Sequence, residues 1–100
     1  MRAILQFEWD SEKAESNRKK HGIRFETAAL VFQDENCLEE YDDAHSGYED
    51  RYHIIGKVND VLFVVYTERR EKIRIISARL ATNEERRRYY DRHLYTETRR

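Results

Sequence analysis

Cysteine occurs once in these 100 residues, proline not at all and glycine three times. A lone Cys37 cannot form an internal disulfide, and no Cys/His cluster has zinc spacing, so neither staple is available to the fold. There is no internal repeat and no low-complexity segment, which leaves one domain over residues 1–100, as the length already implies. Long apolar runs are missing too. The opening MRAILQFEW is too short for a signal sequence or a membrane span, and no other segment qualifies; the expected location is the cytoplasm, with no membrane contact. No metal and no cofactor is expected.

What is present is charge. The chain is 39% hydrophobic and 39% charged, a balance that suits a thin core under a heavily charged surface. Its middle is too apolar for general disorder. The net charge of −1 conceals a division: residues 1–50 hold 6 Lys+Arg against 13 Asp+Glu, and residues 51–100 hold 13 against 7. Such asymmetry permits a basic surface for an anionic ligand inside a neutral protein, and equally a solvated charged surface.

AILQFEW reads as a strand. Asp10 then offers an N-cap with Glu12 in the first turn, and SEKAESNRKKHG continues as a helix that ends in basic residues before Gly22. FETAALVF, residues 25–32, reads as a second short helix broken by DEN, and CLEEYDD as an edge strand. RYHIIGKV, VLFVVYTE and IRIISAR are three strand-like runs rich in β-branched and aromatic residues. Asn59-Asp60 predicts a hairpin turn between the first two, and RREK one between the next two. Thr82 and Glu85 have capping-box spacing and open a last helix with only a thin apolar stripe, expected to pack loosely. The expected order is βααββββα: a small single α+β domain, its sheet mostly antiparallel, with a helical hairpin on one face, a C-terminal helix and a frayed tail over residues 95–100.

Register decides which side chains share a face. A two-residue turn at Asn59-Asp60 sets Val58 opposite Val61, Ile54 opposite Val65 and Arg51 opposite Glu68. An even second loop sets Glu68 opposite Ile73, Val64 opposite Ser77 and Leu62 opposite Arg79. One face is then apolar and suited to the helices, with Ile54, Phe63, Val65 and, near its margin, Arg74. The other carries Arg51, His53, Lys57, Tyr66, Glu68 and Arg79 around an aliphatic centre. A bulge in RREK would exchange the faces of residues 73–79. On this register no acid lies locally opposite Arg79.

Trp9-Asp10, Lys13-Ala14, Asn17, Lys20-His21-Gly22, Tyr66-Thr67-Glu68-Arg69 and Arg74-Ile75-Ile76-Ser77-Ala78-Arg79 occur in one chain. In combination they resemble the BrnT family over roughly residues 7–90. The resemblance implies a ribonuclease toxin of a type II toxin–antitoxin system with a RelE-like fold. It also implies neutralisation by a ribbon-helix-helix antitoxin, BrnA, which binds operator DNA, so that the toxin meets DNA only through its partner. That fold uses the sheet face opposite its helical hairpin for RNA. Arg79 matches the arginine that RelE-like enzymes carry near the end of the last strand. The chain departs from them on the preceding strand, where it has Val61 and Leu62 in place of an arginine.

Metal-independent RNA cleavage needs a base for the ribose 2′-OH, an acid for the leaving 5′ oxygen and cations for the phosphorane. The polar face offers Glu68 or His53 as base, His53 or Tyr66 as acid, and Arg51 and Arg79 as phosphate clamps. Lys20, His21, Lys57, Tyr66, Arg69 and Arg74 are the candidate RNA-binding residues. Each also has a plain structural role open to it. Arg51 and Glu68 read as a cross-strand ion pair, Asp10 as a cap, Trp9 as core, and Lys20 and His21 as charges suited to a helix C-terminus. The alternative function is a non-catalytic binding protein that acts only within an antitoxin–operator repressor complex.

Overall fold

The computed structural model describes residues 4–98, with side chains as far as Asp91. Helix α1 spans Ser11–His21 because both ends are coded locally. Asp10 accepts from the Glu12 and Lys13 backbone N–H groups at 2.8 and 3.1 Å, and Glu12 lies in the first turn. Arg18, Lys19, Lys20 and His21 crowd the last turn, where the free carbonyls favour cations. Gly22 closes the helix in left-handed backbone, φ 73°, its N–H bonded to the Arg18 carbonyl. Helix α2, Phe25–Ala29, runs into a 3-10 turn over Leu30–Gln33.

The strands are β1 (Phe7–Glu8), β2 (Leu38–Tyr41), β3 (Tyr52–Val58), β4 (Asp60–Arg69) and β5 (Lys72–Leu80); helix α3 spans Asn83–Thr98. A second 3-10 turn, Asp43–His45, sits between β2 and β3. Of the tail expected over residues 95–100, the last two residues lie outside those described. Among the described residues no helix is long and apolar enough to cross a membrane.

The sheet order is β1-β5-β4-β3-β2, and the sheet is mixed: β1 runs parallel to β5, the other pairs antiparallel. An expectation built on hairpins alone leaves out the parallel pair. After β1 the chain passes through α1 and α2, enters the sheet at its far edge as β2, and returns strand by strand. It therefore reaches β1 with β5 pointing the same way.

The first hairpin differs from the expected register by one residue. Val58 pairs with Asp60, Ile54 with Val64 and Tyr52 with Tyr66, leaving Asn59 alone at the tip. Asn59 takes left-handed backbone, φ 64°, which asparagine tolerates, and Asp60 is already in the ladder. A slip of one exchanges every side chain on a strand. Leu62, Val64 and Tyr66 therefore join Ile54 on the helix side, and Phe63 and Val65 point away. The second hairpin turns at Arg70-Glu71, φ 54° and 68°, both positive as a type I′ turn requires. Glu68 faces Ile73 as expected, but the ladder then steps from Tyr66↔Ile75 to Val65↔Ser77, with Ile76 as the extra residue of a bulge. Val64 consequently faces Ala78 and Leu62 faces Leu80. The bulge lies in mid-strand rather than in RREK, so only part of β5 changes face: Arg74 leaves the helix side, and Arg79 stays away from it.

The main core lies between α1, α2 and the sheet. Phe25, Ala28, Val31 and Phe32 pack on Ile54, Leu62, Val64, Tyr66, Ile73, Ile75 and Ala78. Gly56 lets Val31 sit directly on β3, since a Cβ there would lie 2.6 Å from Val31 Cγ1. Asn17, 7% exposed, ties α1 to β5: its amide donates to the Ala78 and Ile23 carbonyls and accepts from the Ala78 N–H. A smaller core lies on the opposite face, where Ile55, Val61 and Tyr89 pack with Leu38, Phe63, Ala81 and Tyr90. Helix α3 is thus seated more firmly than its thin stripe suggests. Tyr89 is buried, and its hydroxyl donates to Asp34 at 2.5 Å.

Candidate functional site

The sheet face away from α1 and α2 carries the candidate site, with α3 along part of it. Alternation from His53 places Arg51 and His53 on this face, and the β4–β5 pairing places Arg79 across from Phe63. Phe63 is the centre of the arrangement. The His53 ring lies 4.8 Å from it, tilted by 30°, and the Arg79 guanidinium stands 4.1 Å above its centroid.

Both flanking groups are held by acids. Arg79 forms a two-pronged pair with Glu85, Nη1 to Oε1 at 2.9 Å and Nη2 to Oε2 at 3.0 Å, and Nη1 also donates to the Leu80 carbonyl. This corrects the expectation that Arg79 has no local acid: the partner comes from the first turn of α3, which hairpin register does not reveal. Burial raises the Glu85 carboxyl, but the Arg79 guanidinium and the Thr82 N–H outweigh it and hold the group below its ordinary value. His53 Nε2 is 2.6 Å from Glu40 Oε1, and Glu40 Oε2 accepts from Arg88 at 2.6 Å. His53 Nδ1 is buried and has no hydrogen-bond partner among the described residues.

At the β2–β3 end, the segment after Asp42 folds back on itself. The Asp42 N–H donates to the Arg51 carbonyl, and the Ser46 hydroxyl donates to the Asp42 carbonyl while accepting from the Arg51 N–H. The Asp42 carboxylate meets His45 Nδ1 at 3.1 and 3.0 Å and also accepts the His45 backbone N–H. Burial raises the Asp42 carboxyl. The side-chain and backbone hydrogen bonds from His45 outweigh it, and the charges of His45 and His53 add to them, so the group lies below its ordinary value. The end of this segment is fastened to β4, Thr67 Oγ1 donating to the Asp50 carbonyl and Arg69 pairing with Glu49 at 3.3 Å.

The remaining predicted residues are dispersed. Tyr66 faces the helix side, where its hydroxyl donates to Glu39 at 2.6 Å; burial and that carboxylate raise its pKa, making it a fixed donor. Glu68 pairs with Ile73 on that side, so the expected Arg51–Glu68 pair is not formed; the one-residue slip of the first hairpin is the cause. Arg74 pairs with Glu8 of β1 at 3.2 Å. Lys57 is on the site face but exposed, its ammonium 5.7 Å from the Tyr90 ring centroid. Lys20 and His21 end α1, which packs on the other side of the sheet. Sequence reading missed Glu40, Asp42, His45, Phe63 and Arg88. The signal available for Glu40 and Asp42 was their alternate spacing along and just beyond β2; for His45 it was its place three residues after an aspartate.

Fold and face together place the chain among small α+β proteins that carry helices on one side of a mixed sheet and a charged, aromatic cluster on the other. Residues 9–85 match the family model described as ribonuclease toxin, BrnT, of type II toxin–antitoxin system, and the chain belongs to that family. It is therefore a ribonuclease toxin, with an RNA substrate and an antitoxin partner. The crystal structure of the Brucella abortus ribonuclease toxin BrnT is similar to it, with a TM-score of 0.63 and 22% identity over 80% of this chain and 100% of that one. At that identity the likeness shows a shared fold. No curated protein matches the chain.

Proposed function

We propose that the protein cleaves RNA on the face around Phe63, without a metal, through attack of a ribose 2′-OH on the adjacent phosphate. The observation that carries this is the placing of His53 and Arg79 about Phe63 on the face that the helical pair leaves open. Attack adds negative charge to the phosphorane, and arginine forks stabilise it. Arg79 already holds the two oxygens of a carboxylate, and two phosphate oxygens fit the same fork. DNA lacks the nucleophile. Lys57 extends the RNA track, whereas Lys20 and His21, on the α1 side, are assigned to antitoxin contact. The use of the face is RelE-like. The antitoxin is a BrnA-like ribbon-helix-helix protein that carries the complex to operator DNA, and the toxin acts in the cytoplasm.

The Glu85 carboxylate in the Arg79 fork is also what a non-catalytic repressor subunit would keep, so the two readings need separating. Arg79→Ala is expected to lower cleavage of a labelled oligoribonucleotide about 10²–10³-fold and to abolish growth arrest. Arg79→Lys restores part of the activity, because lysine keeps the charge but loses the fork. Glu85→Gln, which breaks the same ion pair but keeps the arginine, controls for loosening of α3. Cleavage by folded Arg79→Ala at the wild-type rate would remove the clamp. Wild-type protein that neither cleaves RNA nor arrests growth would leave the repressor reading.

A further inference from the structure

Cleavage needs a group that takes the 2′-OH proton beside the phosphate on Arg79. His53 is not presented to substrate: Nε2 is taken by Glu40 and Nδ1 is buried. Among the described residues, two carboxylates hold the groups about Phe63, and they are bound differently. Glu85 has both oxygens in the Arg79 fork and also accepts the Thr82 N–H, and its side chain is 14% exposed. Glu40 receives one bond on each oxygen, from His53 Nε2 and from Arg88 Nη1, and is 30% exposed. A carboxylate offers roughly four lone-pair sites, so each Glu40 oxygen keeps one for substrate.

Glu40 is also close to the clamp. It faces His53 across the β2–β3 ladder, and from there the contacts run without a gap: the His53 ring lies 4.8 Å from Phe63, and the Arg79 guanidinium 4.1 Å from the same ring. Helix α3 gives a second measure. Its Glu85 holds Arg79 and its Arg88 holds Glu40, and residues three apart on a helix are neighbours, about 5–6 Å between Cβ atoms. One nucleotide spans the two held groups.

We propose that Glu40 is the general base of the RNA cleavage, with His53 and Arg88 as its positioning residues. This rests on the ribonuclease reading above. A Glu40 oxygen takes the 2′-OH proton as the O2′–P bond forms, while Arg79 holds the phosphate. The P–O5′ bond breaks, leaving a 2′,3′-cyclic phosphate, and the 5′ oxygen takes a proton from water. Glu40 gives its proton to the hydroxide so formed, which restores the carboxylate. An ionised carboxylate only accepts, so His53 Nε2 donates to it, and Phe63 against the ring fixes that donor. Arg88 holds the other oxygen, so Glu40 is aimed before substrate binds.

The test uses the full chain, made free of antitoxin by cell-free synthesis, in single-turnover cleavage of a labelled oligoribonucleotide. A 2′-O-methyl version of the oligonucleotide measures binding alone. Glu40→Gln, which keeps the shape of the side chain, is expected to cut the cleavage rate roughly 10²–10⁴-fold with binding changed less than about threefold. Added formate should restore part of the Glu40→Ala rate. Nitrate, which can pair with Arg88 but is no base, should not; equal rescue by nitrate would make Glu40 a partner for Arg88 only and overturn the proposal. Arg88→Ala should lose up to about 10²-fold in rate through misplacement of Glu40, with binding unchanged, and Arg88→Lys should recover part of it. A loss of binding in Glu40→Gln as large as its loss of rate overturns the proposal too. A wild-type rate in folded Glu40→Gln, with Arg79→Ala still inactive, overturns the assignment of Glu40 and leaves the ribonuclease site standing. Failure of wild-type protein to cleave RNA overturns both.

Discussion

Asn17 shows how one side chain fastens a helix to a sheet. Among the described residues the short β1 pairs only with Ile73 and Arg74 of β5, so Ala78, farther along that edge, has no described strand beside it. The Asn17 amide takes the place of one, donating to the Ala78 carbonyl at 2.8 Å and accepting from its N–H at 3.1 Å. The pair is buried, so water cannot replace either bond. Asn17→Ala is expected to cost about 2–3 kcal/mol, since two backbone groups lose their partners and an unsatisfied buried group costs roughly 1–3 kcal/mol. Urea unfolding at constant slope measures it, and a shift below about 0.5 kcal/mol would mean that water enters and satisfies Ala78. Asn17 was legible in the sequence only as part of a motif. Its partner is 61 residues away, and nothing local to a helix position names the strand edge it will serve.

Helix ends were the most legible elements, because caps are local chemistry. Asp10, Gly22 and the Thr82–Glu85 box all act as their spacing implies. Registers were less legible. The first hairpin depends on Asn59 alone turning the chain, and the faces of β5 depend on one extra residue at Ile76, choices settled by packing over the whole sheet. Arg51, His53 and Arg79 still share a face, but the acids that hold His53 and Arg79 come from β2 and α3. Glu85 is the junction, because it caps α3 and fills the Arg79 fork at once. Its carboxyl lies below the ordinary 4.5 when folded. A group depressed on folding contributes stability that is present above its unfolded value and is lost as pH falls through the folded one. On acidification below about 4.5, α3 should therefore loosen, seen as a change in tyrosine near-UV signal as Tyr89 loses its packing. Glu85→Gln keeps the capping box, since glutamine serves it equally, yet removes the titrating charge. The variant should lack that acid step; an unchanged step would assign it to another carboxylate.

At the scale of the whole molecule, the division between an acidic first half and a basic second half is partly spent inside the fold. Arg69 pairs with Glu49, Arg74 with Glu8 and Arg88 with Glu40, each a cation of the second half on an acid of the first. The sheet makes this possible by bringing β1 beside β5, and α3 adds its own arginine over β2. The basic surface that the asymmetry permits is thereby reduced to few free cations on the site face. Arg51 forms no ion pair with a described residue, and Arg79 exchanges one acid for a phosphate. RNA affinity should then depend on salt only modestly. Each phosphate contact on a single strand contributes a slope of about 0.7 in log affinity against log salt, so two contacts give about 1.4. Between ~50 and ~200 mM salt the affinity for a non-cleavable oligonucleotide should fall about sevenfold, and Arg51→Ala should lower the slope by about 0.7. A slope of four or more, roughly six phosphates by the same rule, would show that the internal pairs open on binding and that the basic half acts as one surface. A flat response would remove both arginines from the phosphate.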